Sequence, residues 1–193
     1  WKETLHLHAV QPIQQFRYTT GKNATDSAMI IDAMDLLYEG VVSGFCIVSS
    51  DSDYTRLATR IREKGLFVMA IGKNDTPRAF VNACEVFIYT ENLPGQPTVT
   101  RDRKRSRATR TSKLDPADPL PLLVRAWEMA AQDDGWASLG TLGSRLRQLD
   151  PGFDSRTYGQ RQLSLLIRNL DGFEMTEVKS QDGTTFIYVR PKE

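Results

Sequence analysis

Three short apolar segments, separated by helical patterns, constrain the fold of the first half of the chain most strongly. "GFCIVSS" (44–50), "FVMAIG" (67–72) and "CEVFIYT" (84–90) have the length and composition of buried strands. "YTRLATRIREKG" lies between the first two, has apolar residues at helical spacing and ends at a glycine. This alternation predicts an α/β fold, a parallel sheet with helices on both faces. Ligands of such sheets bind outside the carboxyl ends of the strands.

The segment before these strands predicts further elements. "NATDSAMIIDAMDLLYEG" predicts a helix with its N-cap at Asn23 and its end at Gly40. "WKETLHLHAV" predicts the tail of an amphipathic helix, and "IQQFRY" alternates as a strand does. Cys46 and Cys84 lie in apolar segments without the spacing of metal ligands, so we expect two buried, reduced thiols.

A basic segment divides the chain into two domains. "PGQPTVTRDRKRSRATRTSK" (94–113) opens with proline and glycine, lacks apolar periodicity and carries seven Lys and Arg against one acidic residue. The residues before it carry nine basic and eleven acidic side chains, and those after it nine and twelve. Such a segment is typical of an extended linker. We therefore predict domains at 1–93 and 117–193, joined by a basic flexible linker at 94–116.

The second half of the chain has a different pattern. "DPLPLLVRAWEMAAQ", "SLGTLGSRLRQL" and "SRTYGQRQLSLLIRNL" each have helical spacing, and "FEMTEV" and "TTFIYVR" flank the turn "KSQDG" as a hairpin. Three helices followed by a hairpin predict a small winged-helix domain. No apolar run approaches the roughly 18 residues of a membrane span, and no secretory signal is recognisable, so we expect a cytoplasmic protein without a membrane partner.

Three acidic residues are the candidate site. Asp51 and Asp53 directly follow the first predicted strand, and Asp26 shares a helical face with Ile30 and Leu37. A helix cap, worth about 1 kcal/mol, would explain one of the first two, and a carboxylate in line with a buried stripe is costly unless it is neutralised. Oxygen ligands favour Mg²⁺ or Mn²⁺, which can activate water against a phosphodiester. Caps and core ion pairs are the alternative explanation.

These motifs resemble a known family. "GKNATD", "IVSSDSDYTRLATRIREKG", "VMAIG" and "ACEVFIY", within residues 1 to about 92, look like the NYN domain of the PIN-like ribonucleases, which include LabA-like bacterial proteins. The resemblance implies a metal-dependent ribonuclease with a Rossmann-like (PIN-like) sheet, in which Asp26, Asp51 and Asp53 are both catalytic residues and metal ligands. Four residues of the surrounding motif would orient ligands or phosphate, or would only form caps and turns: Lys22, Asn23, Ser49 and Ser50.

The sequence departs from the family pattern at its start. NYN domains begin with a strand that carries an acidic residue and lies in the middle of the sheet. This sequence begins inside the helix that follows that strand, so the resemblance implies that the N-terminal strand is absent. Without a central strand, strand edges would be unpaired and the core would contain a slot. We therefore expect an incomplete domain without its fourth acid, which places the activity of this exact chain in question.

The second half is similar to the OST-HTH or LOTUS domain, through "DPLPLLVRAW", "GWASLGTLGSRLRQLDPGFDSRTYG" and "LSLLIRNLDGFEM". The resemblance implies binding of RNA, either single-stranded or structured and including G-rich RNA. The domain has a net negative charge, so a protein partner stays open, as does a homodimer. Arginine and aromatic neighbours could hold phosphates and stack bases. The candidate RNA contacts are Arg103, Lys104, Arg105, Arg107, Arg156, Tyr158, Arg161 and Lys179.

The sequence therefore predicts a metal-dependent ribonuclease with Mg²⁺ or Mn²⁺ as cofactor and a C-terminal RNA-binding module. One alternative is a non-catalytic RNA-binding or regulatory protein that keeps the acidic residues. Another is a phosphatase of the haloacid-dehalogenase type, because "DSDYT" fits its D-x-D-x-[TV] signature, in which the first Asp is the nucleophile. That mechanism also needs a later lysine and an acidic pair, for which the chain offers only Lys73 and Asp75.

Overall fold

The structure is a computed structural model that describes residues 2–16, 23–93, 118–179 and 183–192. The first domain contains, in chain order, α1 (Ala24–Glu39), β1 (Gly44–Val48), α2 (Thr55–Glu63), β2 (Phe67–Gly72), α3 (Arg78–Ala83) and β3 (Val86–Tyr89). The second contains α4 (Leu120–Glu128), β4 (Ala137–Ser138), α5 (Leu139–Leu149), α6 (Leu163–Arg168), β5 (Phe173–Lys179) and β6 (Thr185–Pro191). Short 3-10 helices lie at Lys2–Thr4, His6–His8, Ser52–Tyr54, Thr90–Asn92 and Ser155–Tyr158.

Within the described residues, the first domain is built on a three-stranded parallel sheet in the order β1-β2-β3, flanked by helices. Cys46 is paired with Met69, and Ala70 with Phe87. The predicted α/β fold is thereby confirmed. Because the strands are parallel, their carboxyl ends meet at one edge of the sheet, and the segments that follow them start from that edge.

The core of the first domain lies between helices and the sheet. Leu57, Ala58 and Ile61 of α2 are almost fully buried and pack with Val68 of β2 and Phe80 of α3. Each large apolar side chain removed from water in this way contributes about 1.5–3 kcal/mol to folding. The short α3 was not predicted, because its six residues are too few to show a helical period.

Strand β1 is less buried than its composition suggests. Only Ile47 is fully buried, whereas Cys46 is exposed and Val48 is 70% exposed. The predictions that this strand and Cys46 are buried are wrong, because within the described residues β1 pairs on one side only, with β2. Cys84 is buried as predicted, and burial raises the pKa of its thiol to about 11.

The N-terminal segment also differs from its prediction. Residues 2–8 form two 3-10 turns instead of the tail of an amphipathic helix, and residues 10–16 form no strand. Ile13 is 72% exposed and Phe16 63% exposed, so neither contributes to a core. An alternating sequence becomes a strand only beside another strand, and none lies alongside residues 10–16 in the described part of the chain. Helix α1, in contrast, begins after Asn23 and ends before Gly40 as predicted, where Gly40 has a left-handed φ of 67°.

Over its described residues, the second domain has three α-helices and an antiparallel sheet in the order β4-β6-β5, so its winged-helix pattern is confirmed. Leu123, Leu142, Leu146 and Val189 are fully buried in its core. The helical pattern over 155–170 is split into a 3-10 helix and α6. Gly159 separates the two with a φ of 78°, which a continuing right-handed helix cannot accommodate. Among the described residues, no helix is long and apolar enough to cross a bilayer.

Candidate active site

The turn after β1 is fixed by two serine hydroxyls. The N–H of Ser49 donates to the carbonyl of Ile71, which continues the sheet one residue beyond β1. Ser49 Oγ accepts the N–H of Asp51 (3.1 Å), and Ser50 Oγ accepts the N–H of Lys73 (2.8 Å). The two serines therefore form turn hydrogen bonds that tie the end of β1 to the end of β2. Their role toward phosphate stays a prediction.

Asp51 begins the acidic segment as a cap. Its Oδ1 accepts the N–H of Asp53 at 2.9 Å, and this bond caps the 3-10 helix Ser52–Tyr54 that leads into α2. Local capping thus explains one of the two neighbouring carboxylates, as the alternative interpretation of the sequence allows. Both side chains are exposed at the end of β1.

Asn23 connects α1 to this segment. It is the N-cap residue of α1 by position, but its side chain makes no capping bond. Instead, Asn23 Nδ2 donates to Asp53 Oδ2 at 3.1 Å. The start of α1 and the turn after β1 are therefore held together through one of the predicted acids.

Tyr54 makes the second connection and was missed by the sequence reasoning. Its hydroxyl donates to Asp26 Oδ1 at 2.7 Å, and the residue is 4% exposed. Burial raises the pKa of Tyr54 well above its ordinary value, and the hydrogen bond to Asp26 and the negative charges of Asp26, Asp51 and Asp53 raise it further. The negative charges of all three predicted acids therefore contribute to raising the pKa of one hydroxyl. The sequence feature that could have indicated this role is the position of Tyr54, an aromatic residue that directly follows D-S-D and directly precedes α2.

The acidic residues have the chemistry of ligands for a divalent cation but not the arrangement of a metal site. In the described part of the chain, no group of three or more His, Cys, Asp and Glu side chains has the arrangement of a metal site. None of the three acids forms an ion pair among the described residues, so the alternative of core ion pairs has no support there. Mg²⁺ commonly binds one or two protein carboxylates together with water and phosphate oxygens. The shared metal site of Asp26, Asp51 and Asp53 stays a prediction.

A further acid, which the sequence reasoning did not single out, lies after β3. Glu91 Oε1 accepts the N–H of Asn74 at 3.1 Å. Partial burial would raise the pKa of Glu91, but that hydrogen bond, a bond with the Thr90 hydroxyl and the charge of Lys73 together lower it. The segments after β1, β2 and β3 thus place Asp51, Lys73 and Glu91 in sequence along the carboxyl edge of the sheet.

The predicted RNA contacts fall into three groups. Lys22 and the four linker residues at 103, 104, 105 and 107 lie outside the described residues. Arg156 donates to both carboxylate oxygens of Asp154 and, at 2.8 Å, to the carbonyl of Asn92. Tyr158 is half-buried, with its ring centroid 5.8 Å from that of Phe153. Arg161 and Lys179 are exposed. Their contacts with RNA stay predictions.

A groove of about 440 Å³ lies elsewhere, between the two domains. Phe67, Val86 and Arg147 contribute to its lining. Phe67 and Val86 are the first residues of β2 and β3, so this groove lies at the amino edge of the sheet. The acidic residues lie at the opposite edge, and the candidate active site is therefore an open surface and not this groove.

Comparison with known proteins gives two family matches. The model of the NYN domain matches residues 1–91, and the model of the OST-HTH/LOTUS domain matches residues 113–183. No curated protein matches the chain. A solved structure, the NMR structure of an uncharacterised protein of Nitrosomonas europaea, is 32% identical, over 48% of this chain and 90% of that one, with a TM-score of 0.36.

Proposed function

Residues 1–91 of the chain are an NYN domain, with the fold of PIN-like nucleases, and residues 113–183 are an OST-HTH/LOTUS domain; from this premise we propose that the protein is a ribonuclease that hydrolyses RNA phosphodiester bonds with Mg²⁺ or Mn²⁺. One observation carries the proposal. Asp26 of α1 accepts a hydrogen bond from the buried hydroxyl of Tyr54, and the charges of Asp51 and Asp53, from the turn at the carboxyl end of β1, help to raise the pKa of that hydroxyl. Ligands of open α/β sheets bind at the carboxyl edge of the sheet.

The residues of this chain have distinct roles in the proposal. Tyr54 holds one oxygen of Asp26, and Asn23 holds one oxygen of Asp53, so both carboxylates are oriented by a donor from a neighbouring element. The carboxylates of Asp26, Asp51 and Asp53 would hold the divalent ion, which when bound supplies activation of water and charge stabilisation at phosphate.

RNA is the proposed substrate because OST-HTH/LOTUS domains bind RNA. Arg161 and Lys179 are exposed cations of this domain and are the proposed contacts to phosphate among the described residues. Residues 114–193, which contain most of this domain, carry nine basic and twelve acidic side chains. Non-specific electrostatic attraction to RNA is therefore weak there. Binding should instead depend on a few placed side chains and on unpaired bases.

A second candidate function has one observation in its favour. Among the described residues, no three acids form a metal-binding group. A protein that binds RNA through its OST-HTH/LOTUS domain and keeps an acidic surface without cleaving would be consistent with this geometry. The two functions differ in whether RNA is degraded once bound.

A cleavage assay with matched variants separates the two. Single-stranded RNA is incubated with the protein in Mn²⁺, in Mg²⁺ and in a chelator, and the same is done with Asp51→Asn and with Asp35→Asn. Asp35 is an exposed acid of α1 that contacts none of the site residues described above, so it controls for the chemistry of the substitution. We expect cleavage that needs the metal, a loss of at least tenfold with Asp51→Asn and no loss with Asp35→Asn.

Two outcomes would count against the ribonuclease. Equal cleavage by the parent and Asp51→Asn would identify a contaminating nuclease. RNA binding without metal-dependent cleavage in the parent would favour the non-catalytic function.

A further inference from the structure

Among the described residues, a segment that follows α5 contacts the first domain. This segment, residues 150–158, lies between α5 and α6 and is called here the junction segment. The N–H of Phe87 in β3 donates to the carbonyl of Pro151 at 2.8 Å. Since β3 is an outer strand of the described sheet, this bond occupies a strand edge that would otherwise be open. The junction segment therefore binds the edge of β3 through a backbone hydrogen bond, as a peptide does when it adds a strand to a sheet.

An ion pair lies beside this backbone bond. Arg78 Nη2 of the NYN domain lies 3.2 Å from Asp150 Oδ2, and the Asp150 side chain is only 18% exposed. Burial alone would lower the pKa of Arg78, but the hydrogen bond to Asp150 and the charge of Asp150 raise it. Arg78 also donates to the hydroxyl of Tyr89 at 3.5 Å. The two domains thus place opposite charges at the same point of contact.

Close packing accompanies the ion pair. Gly152 is buried, and a Cβ atom built on it would lie 2.8 Å from the Tyr89 hydroxyl oxygen and 3.0 Å from Cε2 of the same ring. At these distances any side chain at position 152 would force the Tyr89 ring to shift, so glycine allows the two domains to approach this closely. A ring of the NYN domain therefore lies directly against the backbone of the OST-HTH/LOTUS domain.

The junction also reaches the carboxyl edge of the sheet. Asn92, in the segment after β3, donates to the Thr157 hydroxyl at 2.9 Å and accepts from Arg156 at 2.8 Å. Glu91, its neighbour, belongs to the same edge as Asp51. Adjacent strands lie about 4.8 Å apart, so β3 lies about 10 Å from β1, whose end carries Asp51. The OST-HTH/LOTUS domain is therefore held about two strand spacings from the candidate active site.

We propose that the junction segment makes the two domains one rigid RNA-binding body, whose substrate is an RNA that contacts both domains at once. This inference rests on the proposed function. Domains joined only by a flexible linker gain an effective concentration for their second contact but no fixed geometry. A fixed junction adds a constant offset between the RNA element bound by the OST-HTH/LOTUS domain and the bond that is cleaved.

The rigidity is tested in the full chain by ¹⁵N NMR relaxation, which needs no cleavage. Gly152→Val introduces a clash with Tyr89, and Arg78→Ala removes the ion pair from the opposite side. Gly140→Ala and Arg56→Ala are the matched controls. A Cβ at Gly140 meets nothing within 4 Å, and Arg56 is an exposed residue of α2 with a side chain that is 77% exposed. Chemical shifts away from the junction verify that each variant is folded.

We expect one rotational correlation time for both domains in the parent and in the controls. Gly152→Val and Arg78→Ala should give two shorter correlation times, one for each domain. On an end-labelled RNA with one binding element, the parent should cut at a fixed offset, and the two variants should spread the cuts over several positions.

Each result bears on one proposal. Two independent correlation times in the parent, or no change in either junction variant, would overturn the rigid junction even if RNA is cleaved. One correlation time in the parent that both variants split would support the junction even if no RNA is cleaved, in which case only the ribonuclease proposal fails.

Discussion

Removing the Tyr54 hydroxyl tests the central feature of the site, the hydrogen bond from a buried phenol to Asp26. In Tyr54→Phe, the ring keeps its packing while Asp26 loses a donor at 2.7 Å. Hydrogen bonds to charged groups contribute about 1.5–3 kcal/mol to stability. Asp26 is only half-buried, so water can replace part of the lost bond and the lower end applies. We expect the free energy of unfolding to fall by about 1.5 kcal/mol at pH 7.

The effect should depend on pH in a defined direction. A tyrosine in the unfolded chain has a pKa near 10, and burial, followed by the bond to Asp26 and the nearby carboxylates, raises the pKa of Tyr54 in the folded protein. A raised folded pKa gives stability that is present below pH 10 and is lost as the pH rises toward the folded value. The parent should thus lose about 1.4 kcal/mol between pH 9 and pH 11 that Tyr54→Phe does not lose.

Urea unfolding at pH 7, 9 and 11 measures both effects, with backbone NMR signals of β2 as a reporter for the first domain alone. Tyr38→Phe is the matched control, because Tyr38 is 63% exposed and its hydroxyl should matter by less than about 0.5 kcal/mol. The other tyrosines with raised pKa values are common to parent and variant, so they cancel in the difference. Equal stability of parent and Tyr54→Phe at pH 7 would refute the reasoning, as would a difference that does not shrink at pH 11.

Three further predictions concern other parts of the first domain. Mn²⁺ should broaden the amide signals of residues 51–54 before those of β3, and Asp53→Asn should weaken this effect; broadening without selectivity would argue against a cation at the acids. Gly72→Ala should lower the unfolding free energy by about 1–3 kcal/mol, measured in urea, because its Cβ would lie 2.6 Å from the carbonyl oxygen of Ser49; an unchanged midpoint would contradict the packing described. Cys46 should react with a thiol reagent in the native protein and Cys84 only after unfolding, since burial raises the Cys84 pKa to about 11; mass spectrometry of the labelled peptides distinguishes them, and equal labelling would disprove the assignment.

Local signals in the sequence predicted the elements that are determined locally. Helix α1 begins after Asn23 and ends before Gly40 as predicted, and the left-handed φ of Gly40 is a local property that ends the helix within one residue. The positions of the three strands of the first domain along the chain, and their parallel pairing, could be predicted because helices alternate with the strands. The hairpin of the second domain was also predictable, because its two alternating segments are close in sequence.

Features that depend on distant neighbours were not predictable from the pattern. Cys46 lies in an apolar run, but its burial depends on what covers one side of β1. The helical spacing of 155–170 did not reveal that Gly159 adopts a positive φ. Tyr54 could have been a core residue only, and its bond to Asp26 joins positions 28 residues apart. Acidic residues could be located from the sequence, whereas the partner that orients each one could not.

The contact between Gly152 and Tyr89 limits how this protein can change over evolution. The Tyr89 ring of one domain fills the space that the absence of a side chain at Gly152 leaves on the other. A larger residue at position 152 would require either a shift of this ring or a smaller residue at position 89, so we expect substitutions at these two sites to be correlated. For the same reason, an OST-HTH/LOTUS domain transplanted from another protein would need a matching surface on β3, and free exchange of modules is restricted in this lineage.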